Sequence, residues 1–229
     1  MRRVGCALLV CFLGASLLRC AVAQTFEFLP EVNAYYKVKS AVRLSFQAKQ
    51  TRENGDPTQV ELGPTIDFMT KPWGRLRNAS RYDQDDSKNR GLALAFGYRY
   101  LPSPDAPTVN RLIFVATPNF PLRRGVLLTD RNRGELNFSS KGLDWRYRNR
   151  LNLQRTFDVH SYHPIPYASA EFYYDSKYQK WSSTALYAGC RFPVVKHVQL
   201  DPYYEHENNT GKKPNQQVHA FGVALGITF

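Results

Sequence analysis

Between Leu143 and Gln154 the chain sets charged or amide side chains at every second position: Asp144, Arg146, Arg148, Arg150, Asn152 and Gln154. Leu143, Trp145, Tyr147, Leu151 and Leu153 share the alternate places. Successive side chains of a strand leave opposite faces. A strand here therefore carries a ladder of guanidinium groups on one face and apolar bulk on the other. The polar faces of other alternating stretches add Glu31, Arg43, Glu61, Asp67, Arg99, Arg131, Arg133, Glu135, Glu171, Arg191, Asp201 and Glu205. Charges turned into an interior must be paired or wet, and the planar fork of arginine suits a carboxylate. Two chemistries fit. The set can fill an interior with ion pairs, or it can line a narrow pore whose arginines draw small anionic solutes. They differ by whether water continues through.

Catalytic groups are sparse. Tyr204-Glu205-His206-Glu207-Asn208-Asn209 offers one histidine near a strand end, as outer-membrane lipid hydrolases do. Such chemistry needs a serine nucleophile activated by the histidine, and Glu207 and Asn208 follow His206 instead. His160, His163, His197 and His219 are isolated. No spacing of cysteines or histidines fits a metal, and no catalytic residue, metal or cofactor is expected. A lone Cys190 on a strand reads as a small apolar filler.

Residues 1–23 have the form of a cleaved secretory signal: Arg2 and Arg3, an apolar run from Val4 to Leu18, and Ala21-Val22-Ala23 as the cleavage site. Cys6, Cys11 and Cys20 leave with it, so an exported chain would hold no internal disulfide. Arg19 stands where a lipoprotein signal needs a small residue. Loss of Arg2, Arg3 and Arg19 lowers the formal charge from +12 to +9. Export argues against nucleic acid as the partner of that charge, and anionic headgroups or solutes suit it better. Aromatic residues make up 14% of the chain although polar residues are abundant. A barrel with a polar interior has that composition.

The elements that must position the charged faces follow from the alternation. Segments lie near 27–38, 41–50, 58–70, 91–101, 110–117, 126–138, 143–154, 166–175, 183–193 and 198–206, with a last one ending at Phe229. Residues 71–90 are mostly polar and read as a long exposed loop. In the last segment Phe221, Val223, Leu225, Ile227 and Phe229 alternate with Ala220, Gly222, Ala224, Gly226 and Thr228. One face is apolar and the other nearly bare, as for a membrane strand beside a crowded lumen. A closed single-chain barrel wants an even strand count. Twelve strands are expected if a weak one hides in 71–90, and ten if one segment near 27–50 or 110–138 is false. Tyr35, Tyr36, Trp73, Trp145, Tyr173, Tyr174, Trp181, Tyr203 and Tyr204 are candidates for aromatic girdles.

The terminal strand ending on Phe229 resembles the C-terminal strand of bacterial outer-membrane proteins, which implies that the barrel-assembly machinery reads it. Trp145-Arg146-Tyr147-Arg148-Asn149-Arg150-Leu151 and Pro166-Tyr167-Ala168-Ser169-Ala170-Glu171-Phe172 are similar to an uncharacterised family of bacterial outer-membrane barrels, a domain of unknown function. The resemblance implies a barrel and no chemistry. The expectation is therefore an all-β protein: a closed antiparallel up-and-down transmembrane barrel over 24–229, monomeric, in contact with outer-membrane lipid. It would be non-enzymatic, either structural or a narrow pore for small anionic solutes. The alternatives are a membrane-embedded lipid hydrolase and a secreted soluble barrel that binds a small apolar ligand.

Overall fold

The computed structural model describes residues 25–211 and 215–229. Residues 1–24, which contain the signal segment, and residues 212–214 lie outside the described residues. The strands are β1 (Thr25–Lys39), β2 (Val42–Glu53), β3 (Asp56–Met69), β4 (Leu92–Leu101), β5 (Val109–Pro121) and β6 (Val126–Ser139). They continue as β7 (Gly142–Arg155), β8 (Ile165–Asp175), β9 (Lys180–Val195), β10 (Val198–Asn209) and β11 (Gln216–Thr228). Each pairs with its sequence neighbours, and the sheet closes on itself. The fold is all-β, a closed and mostly antiparallel up-and-down barrel.

The barrel has eleven strands, not the twelve of the even-count expectation. An odd count leaves the first and last strands running the same way. The seam is accordingly parallel, with Glu27 opposite Ala220, Glu31 opposite Ala224 and Ala34 opposite Ile227. The twelfth strand sought in 71–90 is absent. That stretch has no two-residue alternation, and it forms a six-residue helix, α1 (Gly74–Ala79), and a 3-10 turn at Asp86–Asn89. It is also not an exposed loop. Leu76 and Ala79 pack on Leu127, and Ser87, Lys88 and Arg90 are buried. The segment folds back and stoppers one rim of the barrel. The connections 40–41, 122–125, 156–164 and 196–197 lie at the same rim, and the opposite rim carries 54–55, 102–108, 140–141 and 176–179.

The two faces separate sharply. On β7, Leu143, Trp145, Leu151 and Leu153 point out, while Asn152 and Gln154 are buried inside. Phe96 is 46% exposed and Leu186 53% on the outer surface, whereas Glu171 is 0% and Glu135 1% exposed within. On β4, Leu101 points inward and is buried, and Tyr100 takes the outer place. Leu101 is five positions on from Phe96, an odd step that changes the face.

Pro64 marks the irregularity expected of a residue without an N–H. The ladder between β3 and β4 skips Gly63 and Pro64, and Arg99 Nη1 donates to their two carbonyls at 3.1 and 2.9 Å. A Cβ on Gly63 would collide with the Tyr98 carbonyl, which is backbone and cannot swing away. Gly63→Ala is therefore expected to destabilise the barrel by about 1–3 kcal/mol through overpacking, and a urea titration of the folded form checks this.

Candidate functional site

The interior is organised around two buried carboxylates. Glu171 lies on β8 one strand from the arginine ladder of β7 and pairs in register with Arg150. Its oxygens accept from Arg148 Nε and Nη2 at 3.0 Å each, from Arg150 Nη2 at 2.5 Å and from Arg131 Nη2 at 3.2 Å. The Tyr173 hydroxyl donates to it at 2.9 Å, and the Tyr187 hydroxyl oxygen lies 3.0 Å from it. Glu135 on β6 is the second hub, with Arg133 at 2.7 Å, Arg148 at 3.2 Å and Arg111 at 3.5 Å. Arg148 bridges the two. Several guanidinium groups surround each carboxylate in place of water. Glu61 closes the circuit towards β3 and β4, with Arg99 at 3.4 Å and Arg111 and Arg133 at 3.5 Å each.

The stopper is fixed by charge. Arg43 on β2 holds Asp67 of β3 at 2.7 Å and reaches up to Asp85 at 2.7 Å and Asp86 at 3.1 Å. Lys88 and Arg191 meet Asp83 at 2.7 and 3.5 Å. Burial works against the charge of Asp83, but Lys88 and Arg191 more than offset it and hold its carboxyl below the usual range. Burial likewise opposes ionisation of Asp85, and Arg43 and Lys88 again prevail. Burial, and then the nearby Arg191, lower the Lys88 ammonium. Asn119 Nδ2 donates to the carbonyls of Ser87 and Arg90 at 3.1 and 2.9 Å, and Tyr82 stacks on His163 of the 156–164 connection.

Below the stopper lies a chamber of about 570 Å³. It runs from Glu27, Gln59 and Glu207 near the open rim to Asp83, Asp85 and Lys88 under the stopper. Arg43, Glu61, Asp67, Arg99, Arg131, Arg133, Arg146, Arg148, Arg150, Arg191, Asp201 and Glu205 line it. Glu135 and Glu171 sit behind these side chains, buried in the wall. Asp144 stands apart near the open rim, where it accepts from Asn137 Nδ2 at 2.7 Å. Arg146 is drawn to Asp175 at 3.0 Å and not into either hub.

Several participants were not singled out in the sequence. Arg111 shares its inner face with Ile113 and Val115, so no polar pattern exposes it; its register opposite Arg99 does. Asp83, Asp85 and Lys88 lie in a charge-rich stretch that looks solvated, and only the fold turns it inward. Tyr35, Tyr173 and Tyr203 of the girdle set face the chamber instead. Trp145, Trp181 and Tyr174 do cluster outside near the open rim, with ring centroids 5.5 and 5.7 Å apart.

Phe221 and Phe229 are exposed on the outer face, and Val223, Leu225 and Ile227 share it with them. His206 is also outside, paired across the ladder with His219, and the Tyr204 hydroxyl bonds to His219 Nδ1. Its other cross-strand neighbour is Leu186, so no serine stands directly opposite it.

No curated protein matches the chain. The family described as "Protein of unknown function (DUF2490)" matches residues 28–218. This closed, arginine-laddered β-barrel belongs to the DUF2490 family of proteins of unknown function.

Proposed function

We propose that this chain is a non-enzymatic barrel of the bacterial outer membrane, whose lumen is a narrow path for small charged solutes held shut by the 71–90 stopper. One observation carries the membrane reading. The outer face is apolar on strand after strand while the charges are paired inside, so the protein presents to its surroundings what a soluble barrel would bury. Phe28, Phe46, Phe96, Phe114, Leu151 and Leu186 are all exposed and come from different strands around the wall. Contiguous apolar surface on that scale marks a partner or a bilayer. No described helix is long and apolar enough to cross a membrane; the strands would do so.

Charge at the stoppered rim supports the same placement. Lys39, Lys71, Arg75, Arg81, Arg123 and Arg155 are exposed there, against Asp158 as an exposed acid. Trp73, Phe157 and Tyr162 lie exposed among them. Cations with aromatics beneath them suit phosphate-bearing headgroups. The signal segment would deliver the chain for export, and the outward row from Phe221 to Phe229 would be read by the assembly machinery.

The test is insertion. The refolded protein should float with liposomes, resist extraction by urea and migrate faster on gels before heating than after. Phe96→Arg places a cation at mid-wall and should cost about 2–4 kcal/mol of barrel stability in lipid. A protein that stays monomeric and soluble without detergent, and that tolerates Phe96→Arg, would overturn the proposal.

A further inference from the structure

The chamber is electrically polarised across its width. Six residues of β5, β6 and β7 that line it are arginines: Arg111, Arg131, Arg133, Arg146, Arg148 and Arg150; no carboxylate of these strands reaches its surface. From β1 and β10 it is lined by Glu27, Glu31, Asp201, Glu205 and Glu207, and no cation from β1, β10 or β11 joins them. In a ring of eleven strands, β5 and β6 stand opposite β11. The two charge sets therefore face each other across the lumen.

The register shows how the acidic wall is built. Glu27, Ala220 and Glu205 form one row across β1, β11 and β10, and Glu31, Ala224 and Asp201 form another. Strand β11 contributes a bare floor between two lines of carboxylates. Its Gly222 leaves room for the Tyr203 ring, which a Cβ there would strike. Asp201 is matched by Arg191 at 3.2 Å. Among the described residues no lysine or arginine forms a salt bridge with Glu27, Glu31, Glu205 or Glu207, although Lys49 of β2 lines the chamber in register with Glu31. Asn33 and Gln47 donate to Glu31 at 2.7 Å each, and Tyr187 donates to Glu205 at 2.8 Å. On the opposite wall Arg131 and Arg146 keep 31% and 34% of their side chains accessible despite their partners. A separate donor waits in the same chamber: Gln199 is 8% exposed, lines the cavity, and its Nε2 has no acceptor among the described residues.

A free anion entering this space meets a wall of carboxylates of which Asp201 alone is ion-paired among the described residues, and a free cation meets six guanidinium groups. A solute carrying both charges satisfies both walls. We infer that the chamber binds small zwitterions, with the ammonium end against Glu27, Glu205 and Glu207 and the carboxylate end against Arg131 and Arg146. This deepens the solute-path reading and replaces the anion preference by a preference for dipolar solutes. Electrostatic complementarity of this kind selects partners more than it raises raw affinity.

Three probes of equal chain length separate the cases: 4-aminobutyrate, butyrate and butylammonium. Each is titrated against the folded full chain in detergent by saturation-transfer NMR. 4-Aminobutyrate should bind at least about tenfold more tightly than either singly charged probe. Glu27→Gln with Glu207→Gln should abolish its advantage over butyrate, and Arg131→Gln its advantage over butylammonium. Glu207→Gln alone disrupts no ion pair among the described residues and carries the test if the double variant fails to fold. Equal or tighter binding of butyrate, or no binding of any probe to folded protein, would overturn the inference. Solubility without detergent would sink the membrane placement and leave this result standing.

Discussion

Glu171→Ala should destabilise the barrel more than any other single substitution in the lumen. Glu171 is fully buried and anchors Arg131, Arg148 and Arg150 together with the hydroxyls of Tyr173 and Tyr187. Its removal leaves three guanidinium groups crowded in a low-dielectric wall with Glu135 as the remaining anion for Arg148. Breaking one buried pair commonly costs about 3–5 kcal/mol, because the orphaned charge is not rehydrated. The loss here is expected at the upper end of that range. Glu171→Gln keeps two acceptor lone pairs and should fall between. Glu207→Gln is the control, with a change within about 0.5 kcal/mol, since it removes no ion pair among the described residues. Urea titrations of the three variants in lipid, read by the heat-dependent gel shift, give the order. Equal stability of Glu171→Ala and Glu207→Gln would show that the hub is not holding the wall.

Removal of residues 74–88 should convert a nearly silent protein into a conducting one. The sheet tolerates the cut: Met69 pairs with Ala93, and Thr70 N–H donates to the Leu92 carbonyl at 3.0 Å. The ends of the excised segment are therefore adjacent, and a short glycine linker can close the hairpin. What disappears is the cover over the chamber and its ties to Arg43 and Arg191. Planar bilayers with the wild-type chain should show little current, and the deletion should raise it by at least about tenfold, as expected when a plug leaves a polar lumen. Current that is the same before and after would remove the stopper from the mechanism.

A gentler version uses pH. Asp83 and Asp85 have carboxyls held below their ordinary value in the folded protein. Groups depressed in this way stabilise the ordered stopper above their unfolded value, and the contribution fades as pH falls towards the folded one. The stopper should hold from neutral pH down to about pH 4, the ordinary aspartate range, and loosen below it. Asp83→Asn with Asp85→Asn should loosen it already at neutral pH. Protease nicking within 71–90, followed as a function of pH, reads both effects.

The sequence foretold the barrel where alternation was strict and failed where it was not. The β7 ladder could be assigned to faces residue by residue, because a one-place slip would have turned Arg148 to the face that Trp145 occupies. The C-terminal strand was equally clear, although its bare face gave no hint that it meets β1 in parallel. Strand number depends on that seam, and pairing between chain ends leaves no local mark. The stopper was hidden for a different reason. Asp83, Asp85 and Lys88 have the composition of a solvated loop, and their partners Arg43 and Arg191 are remote in the chain. Glu135 and Glu171 were visible as inward charges. Their role as hubs depends on which arginines the neighbouring strands bring beside them, and that is a property of register.

The central claim is an orientation: hydrocarbon meets the outside of the wall and charge stays within. Single cysteines placed along β7 in reconstituted vesicles, each carrying a spin label, measure it directly by collision with oxygen and with a water-soluble nickel chelate. Labels at positions 145, 151 and 153 should collide mainly with oxygen, which concentrates in lipid, and labels at 148, 150 and 152 should be shielded from it. A reversed pattern, or equal access of the nickel chelate to both sets, would contradict the account.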